Sequence, residues 1–175
     1  MRYLIVCLIK GEALVFHEKL VEDVCSKFQV KRQRLPAHFT IKAPFETENI
    51  HEVEKLTEEF CKNTKAFEIL VEDFGHFGNA VVYMDVKPSK NAVKVHDDYI
   101  DVLKNIAWLD WKQNEGKGRV FHCTVVSKLP SYKFQSIWQY VSRFQFHFST
   151  YFNNISILLW EKNKWITYRE FELKK

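Results

Sequence analysis

Residues 38–41 read His-Phe-Thr-Ile, and residues 122–125 read His-Cys-Thr-Val. Both follow the pattern His-x-Thr-apolar, and they start 84 residues apart, close to half of a 175-residue chain. Seven His and seven Thr scattered at random would give about 0.3 His-x-Thr matches. Two matches with the same fourth-position character point to an internal duplication. Side chains at i and i+2 of a strand share a face. His38 therefore projects with Thr40, and His122 with Thr124, while Phe39, Ile41, Cys123 and Val125 turn toward a core.

Two such strands, related by a pseudo-two-fold, would gather two imidazoles and two hydroxyls around one cavity. That set suits phosphoester chemistry. A neutral imidazole takes a proton from the attacking water or hydroxyl, and a protonated one returns a proton to the leaving oxygen. With an unperturbed pKa of ~6.5, imidazole serves in either form near neutral pH. Threonine hydroxyls donate to the non-bridging phosphate oxygens as charge develops there. No metal ion or cofactor is required. His147-Phe148-Ser149 is a rival His-x-Ser. His122 is preferred as the second histidine, because Arg119 and Lys128 flank it and its fourth position is apolar, whereas Thr150 follows Ser149.

Outward from the motifs, apolar runs predict strands at 3–9, 38–45, 67–74, 79–86, 120–127, 145–151, 154–161 and 165–172. Helical spacing predicts helices over 12–28, 50–62, 89–107 and 131–143. Turn signals lie at Gly75–Gly78, Asn114–Gly118 and Asn153-Asn154, and Asn163 suits a hairpin turn between the last two strands. His76 falls within the first of these turns. No composition break divides residues 1–175, so the chain reads as a single α+β domain.

Composition excludes several classes. With 46% hydrophobic and 15% aromatic residues the chain is not disordered. No apolar run approaches the ~20 residues of a membrane span, and Tyr3–Ile9 is followed by Lys10, Gly11 and Glu12 rather than a cleavage site. Cys7, Cys25, Cys61 and Cys123 lie too far apart for a CxxC pair and read as reduced thiols, so a cytoplasmic protein is expected. No glycine-rich phosphate loop supports an ATP-dependent reaction.

Charge is distributed unevenly. Residues 29–42 carry Lys31, Arg32, Arg34 and Lys42 with no acid. Residues 112–128 carry Lys112, Lys117, Arg119 and Lys128 against Glu115, whereas residues 46–73 hold nine acidic residues and three Lys. Cations thus gather around the two motifs, as an anionic ligand requires. Lys42, Arg119 and Lys128 are the candidate substrate-binding cations. Any of the five tryptophans, Trp108, Trp111, Trp138, Trp160 or Trp165, has a face on which a base can stack.

The paired His-x-Thr-apolar motifs resemble those of the two-histidine (2H) phosphoesterase superfamily, in particular its bacterial 2'-5' RNA ligase branch. The lone strand before the first motif and the strand pairs after the second extend the resemblance over nearly the whole chain. It implies a bilobal α+β fold, in which two antiparallel sheets face a central cleft and helices lie outside. It also implies a metal-independent phosphodiesterase acting on 2',3'-cyclic phosphates or 2'-5' linkages of RNA or nucleotides, with reverse ligation possible in principle. On this resemblance His38 and His122 carry over as acid and base, and Thr40 and Thr124 as phosphate donors. Family members often carry Arg shortly after the second motif; here Ser127-Lys128 stands there. The expected partner is an RNA end or a cyclic nucleotide, with no membrane, and the chain is expected as a monomer. The alternative reading is a non-catalytic RNA- or nucleotide-binding module on the same fold, which would have no need for both histidines and both threonines.

Overall fold

A computed structural model describes residues 1–175. The elements run β1 (Arg2–Leu8), α1 (Gly11–Phe28), β2 (His38–Glu46), α2 (Ile50–Asn63), β3 (Phe67–Phe77), β4 (Val81–Pro88), α3 (Lys90–Lys104), β5 (His122–Val126), α4 (Ser131–Val141), β6 (His147–Phe152), β7 (Asn154–Glu161) and β8 (Lys164–Glu172). They form two four-stranded sheets, ordered β2-β1-β7-β8 and β5-β4-β3-β6, and every strand pairing is antiparallel.

The duplication appears in this topology. β1–α1–β2 and β4–α3–β5 are the same unit: a strand, a helix, and a return strand that pairs antiparallel with the first. Each motif strand, β2 or β5, therefore ends up on the edge of its sheet. One continuous apolar core joins the two sheets, and the motif edges meet in it. Phe39 stacks on Phe121 at 4.7 Å between ring centroids. The backbone N–H of His38 faces the buried Cys123 thiol.

Local chemistry explains the helix and turn boundaries. α1 stops at Gln29, which adopts the left-handed conformation (φ 52°) and closes the last turn. The Ser89 side chain accepts from the Ala92 N–H and starts α3. Lys162 and Asn163 both have positive φ, as a two-residue hairpin between β7 and β8 demands. No helix is long and apolar enough to cross a membrane.

Two boundaries differ from the sequence reading. Gly75 and His76 lie inside β3, and the turn comes at 78–80. Gly75 is needed in the strand because a Cβ there would come within 2.4 Å of the Tyr83 ring. α3 ends at Lys104, and Ile106 reaches the core from a turn, its N–H bonding to Leu103 O. Asn153 lies between β6 and β7, as its turn signal predicts, at the point where the chain crosses from one sheet to the other.

Candidate active site

Strand register decides which side chains share the cleft face. His38 pairs with Leu8 and Thr40 with Val6, so both motif residues stand on the face that carries Leu4, Val6 and Leu8. In the second sheet His122 lies opposite Asp85 and Thr124 opposite Tyr83. Phe39, Ile41, Cys123 and Val125 are buried in the core, as the alternation requires.

The two motif histidines are held alike. His38 Nδ1 lies 2.7 Å from Pro36 O, and His122 Nδ1 lies 3.0 Å from Val120 O. A carbonyl oxygen only accepts, so each Nδ1 carries the proton of the neutral ring and each Nε2 is left for other partners. The surroundings differ. His38 is buried, and that burial lowers its pKa to about 4, with the nearby His122 and His17 imidazoles adding to the effect. His122 is half-buried between two aromatic rings, with Phe77 at 4.9 Å and Tyr83 at 5.2 Å between centroids.

Thr40, His122 and Arg119 line one cavity of about 540 Å3, together with Phe77, His96, Asn114 and Glu115. Arg119 is exposed and braces the loop before β5 by donating to Gln113 O at 2.6 Å. The candidate cations are not brought together. Lys42 is 2% exposed; it pairs with Glu115 at 2.5 Å and lies 5.0 Å from the Trp111 ring centroid. Its charge is consumed within the protein, and its role there is to anchor the 110–119 loop over the cavity. Lys128 lines a different cavity, with residues 29–35 and the β7–β8 hairpin.

The rival motif is remote from this centre. β6 is the far edge of the second sheet, and His147 is exposed there, with Nδ1 2.5 Å from Glu72 Oε2. Ser149 donates to Glu68. His76 donates from Nδ1 to Gly78 O at 2.9 Å and packs on Phe134 and Trp138 of α4, so it secures the hairpin.

Several residues around the site carry no local sequence signal. His17 of α1 is buried, and its Nε2 lies 2.9 Å from Thr124 O; burial lowers its pKa, so it is a neutral donor to the second motif strand. His96 is likewise buried with its pKa lowered, and packs on Phe121 at 4.8 Å. Tyr83 and Phe77 reach His122 through cross-strand register and the hairpin bend. Only the Gly75 beside them hints in the sequence at a close approach.

A 105-residue stretch is 25% identical to a Bacillus pumilus (strain SAFR-032) protein named for phosphoesterase activity; it spans 55% of this chain and 61% of that protein's length. The crystal structure of TT0787 of Thermus thermophilus superimposes with a TM-score of 0.67 at 11% identity, covering 99% of this chain and 98% of that one. Escherichia coli LigT superimposes at 0.62 in its apo form, and at 0.63 in its complex with 3'-AMP, each at 10% identity and the same coverage. At such identities these structures speak for the fold alone. The family model describing the 2'-5' RNA ligase superfamily matches residues 12–164, a span that includes both His-x-Thr motifs, and the chain belongs to that superfamily.

Proposed function

We propose that this protein is a phosphodiesterase of 2',3'-cyclic phosphate ends or 2'-5' linkages, working by two-histidine acid–base catalysis. Family membership supports a phosphoesterase in general terms. The observation that supports the finer reading is the shared Nδ1 tether, which occupies one ring nitrogen of each motif histidine and leaves its Nε2 for another partner.

His38 is assigned as the base in hydrolysis. Burial keeps it neutral, so its Nε2 holds a lone pair for the proton of the attacking water. His122 then protonates the departing ribose oxygen, and the reverse reaction exchanges the roles. In the cyclic-phosphate case water oxygen bonds to phosphorus, one P–O bond to ribose breaks, and a phosphomonoester with a free hydroxyl results. Thr40 and Arg119, which line the cavity with His122, supply a hydroxyl donor and a cation to the equatorial oxygens of the pentacoordinate phosphorus; Thr124, two residues along the strand from His122 and outside that lining, is assigned the second hydroxyl. The nucleotide reading is supported by LigT, a protein of the same fold whose structure is known with 3'-AMP.

The test is to incubate the purified, EDTA-treated protein with the four 2',3'-cyclic nucleotides, a cyclic-phosphate-ended oligonucleotide and a 2'-5'-linked dinucleotide. Conversion of at least one to the ring-opened or cleaved product is expected. No turnover of any of them, or turnover restored only by added metal, rejects the mechanism. RNA binding without turnover favours the non-catalytic module.

A further inference from the structure

A second cavity, larger than the one beside the motifs, takes no part in the chemistry above. It measures about 750 Å3 and lies where residues 29–35, the segment after β5 and the β7–β8 hairpin meet. Its lining includes Lys31, Arg32, Arg34, Lys128 and Lys133, and no carboxylate. None of these five forms an ion pair, although the molecule contains many elsewhere. Two tryptophans complete the wall. Trp160 and Trp165 meet edge to face at 5.4 Å, and Trp160 is 38% exposed.

The cavity is built rather than incidental. Lys133 donates to the carbonyls of Phe28 and Gln29 at 2.8 and 3.1 Å, fixing the start of the basic segment. Gln33 donates to Ser127, and Arg34 donates to Asn163 O at 2.9 Å. Leu35 and Trp165 pack on the Leu4, Val6 and Leu158 cluster. That cluster lies on the same face as His38 and Thr40, so the cavity opens on the cleft side. From His38 to Trp165 the ladder runs three strands across and about six residues along, a separation of roughly 20–25 Å.

Unpaired cations beside the exposed Trp160 indole, with no acid, are the combination that holds a phosphate backbone and stacks a base. An acidic peptide would use the cations and leave the indole idle, and a planar anionic membrane would meet the rim and leave the concave interior unfilled. We propose that this cavity binds single-stranded polynucleotide several nucleotides away from the reacting phosphate. The inference deepens the phosphodiesterase reading, since it makes an oligonucleotide rather than a mononucleotide the preferred substrate.

The test uses the full chain and a fluorescent single-stranded oligoribonucleotide of eight nucleotides with hydroxyl ends, so that binding needs no turnover. Anisotropy gives the affinity across a salt series. Lys31→Gln/Arg32→Gln is expected to weaken binding and to reduce the slope of log K against log salt by about 1.4, two backbone charges' worth. Trp160→Ala is expected to weaken binding at least about fivefold, and the oligonucleotide to quench tryptophan fluorescence in the parent. Hydrolysis of a cyclic mononucleotide is expected to be the same in both variants as in the parent. Binding unaffected by either change overturns the proposal, as does an acidic peptide that binds equally well and with the same sensitivity. Mononucleotide hydrolysis without oligonucleotide binding rejects this inference alone. Oligonucleotide binding with the expected sensitivities but no hydrolysis of any substrate rejects the catalytic reading and leaves the binding site standing.

Discussion

His38 and His122 share a tether but not an environment. Each donates from Nδ1 to the carbonyl two residues upstream, yet His38 is buried at 8% exposure while His122 stands half-open between Phe77 and Tyr83. The two motif strands thus carry imidazoles with the same tether and unequal solvation, the difference on which the proposed division into base and acid rests.

The first consequence is kinetic. The acidic limb of kcat/KM reports the base of the free enzyme. With His38 lowered to about 4 by burial, activity should hold well below pH 6.5 before it falls. A pH profile of kcat/KM on a cyclic nucleotide checks this, and an acidic midpoint at 6.5 or above would exclude His38 as the base.

The same burial ties stability to pH. Above pH 6.5 His38 is neutral in both folded and unfolded chains. Between 6.5 and about 4 the unfolded chain binds a proton that the folded one refuses, so stability falls as pH falls. His38 alone should cost on the order of 2 kcal/mol by pH 5, with His17 and His96, also lowered, acting in the same direction. Urea unfolding at pH 7.5 and 5.0 measures the loss, which should shrink in His38→Gln.

On the proposed mechanism, replacing either motif histidine removes a proton-transfer step. His38→Ala and His122→Ala should each lower turnover by at least about 10²-fold, and His147→Ala far less, since His147 bonds Glu72 on the remote sheet edge. Turnover assays of the three variants under one set of conditions decide the matter. Inactivation by His147→Ala would transfer the second role to β6.

Lys42 and Glu115 are 2% and 7% exposed and hold the loop over the cavity. Glu115→Ala leaves a buried ammonium unpaired and should cost about 3–5 kcal/mol, whereas Lys42→Met combined with Glu115→Leu should recover most of that stability. Thermal unfolding of Lys42→Met, Glu115→Leu and the variant that combines them gives the coupling energy. Additive losses would show that the pair is not energetically linked.

At Gly75 a Cβ would meet Tyr83 Cε2 and Cζ at 2.4 Å. Gly75→Ala must therefore displace the ring that lies 5.2 Å from His122. A drop in kcat of about tenfold or more is expected, with partial recovery in Gly75→Ala/Tyr83→Leu, where the obstructing ring is gone. Equal activity in all three proteins would mean that Tyr83 does not position His122.

The amino-acid pattern alone was enough for the eight strands, the four helices and the facing of His38 with Thr40 and of His122 with Thr124. Each of these follows from periodicity within a dozen residues, and local sterics write that period into the chain. Folding had to decide everything that depends on pairs distant in sequence. Nothing near Lys42 reveals that Glu115 will neutralise it, so a cation that reads as a substrate contact becomes an internal anchor. Nothing near His38 reveals how deeply it is buried, and its depressed pKa follows from that burial. The basic stretch 29–34 becomes a cavity only because Trp160 and Trp165 arrive on a hairpin more than a hundred residues later. Local backbone preference acts over a few residues, whereas burial, ion pairing and cavity walls are properties of strand order and register, which exist only once the two sheets have closed around their shared core.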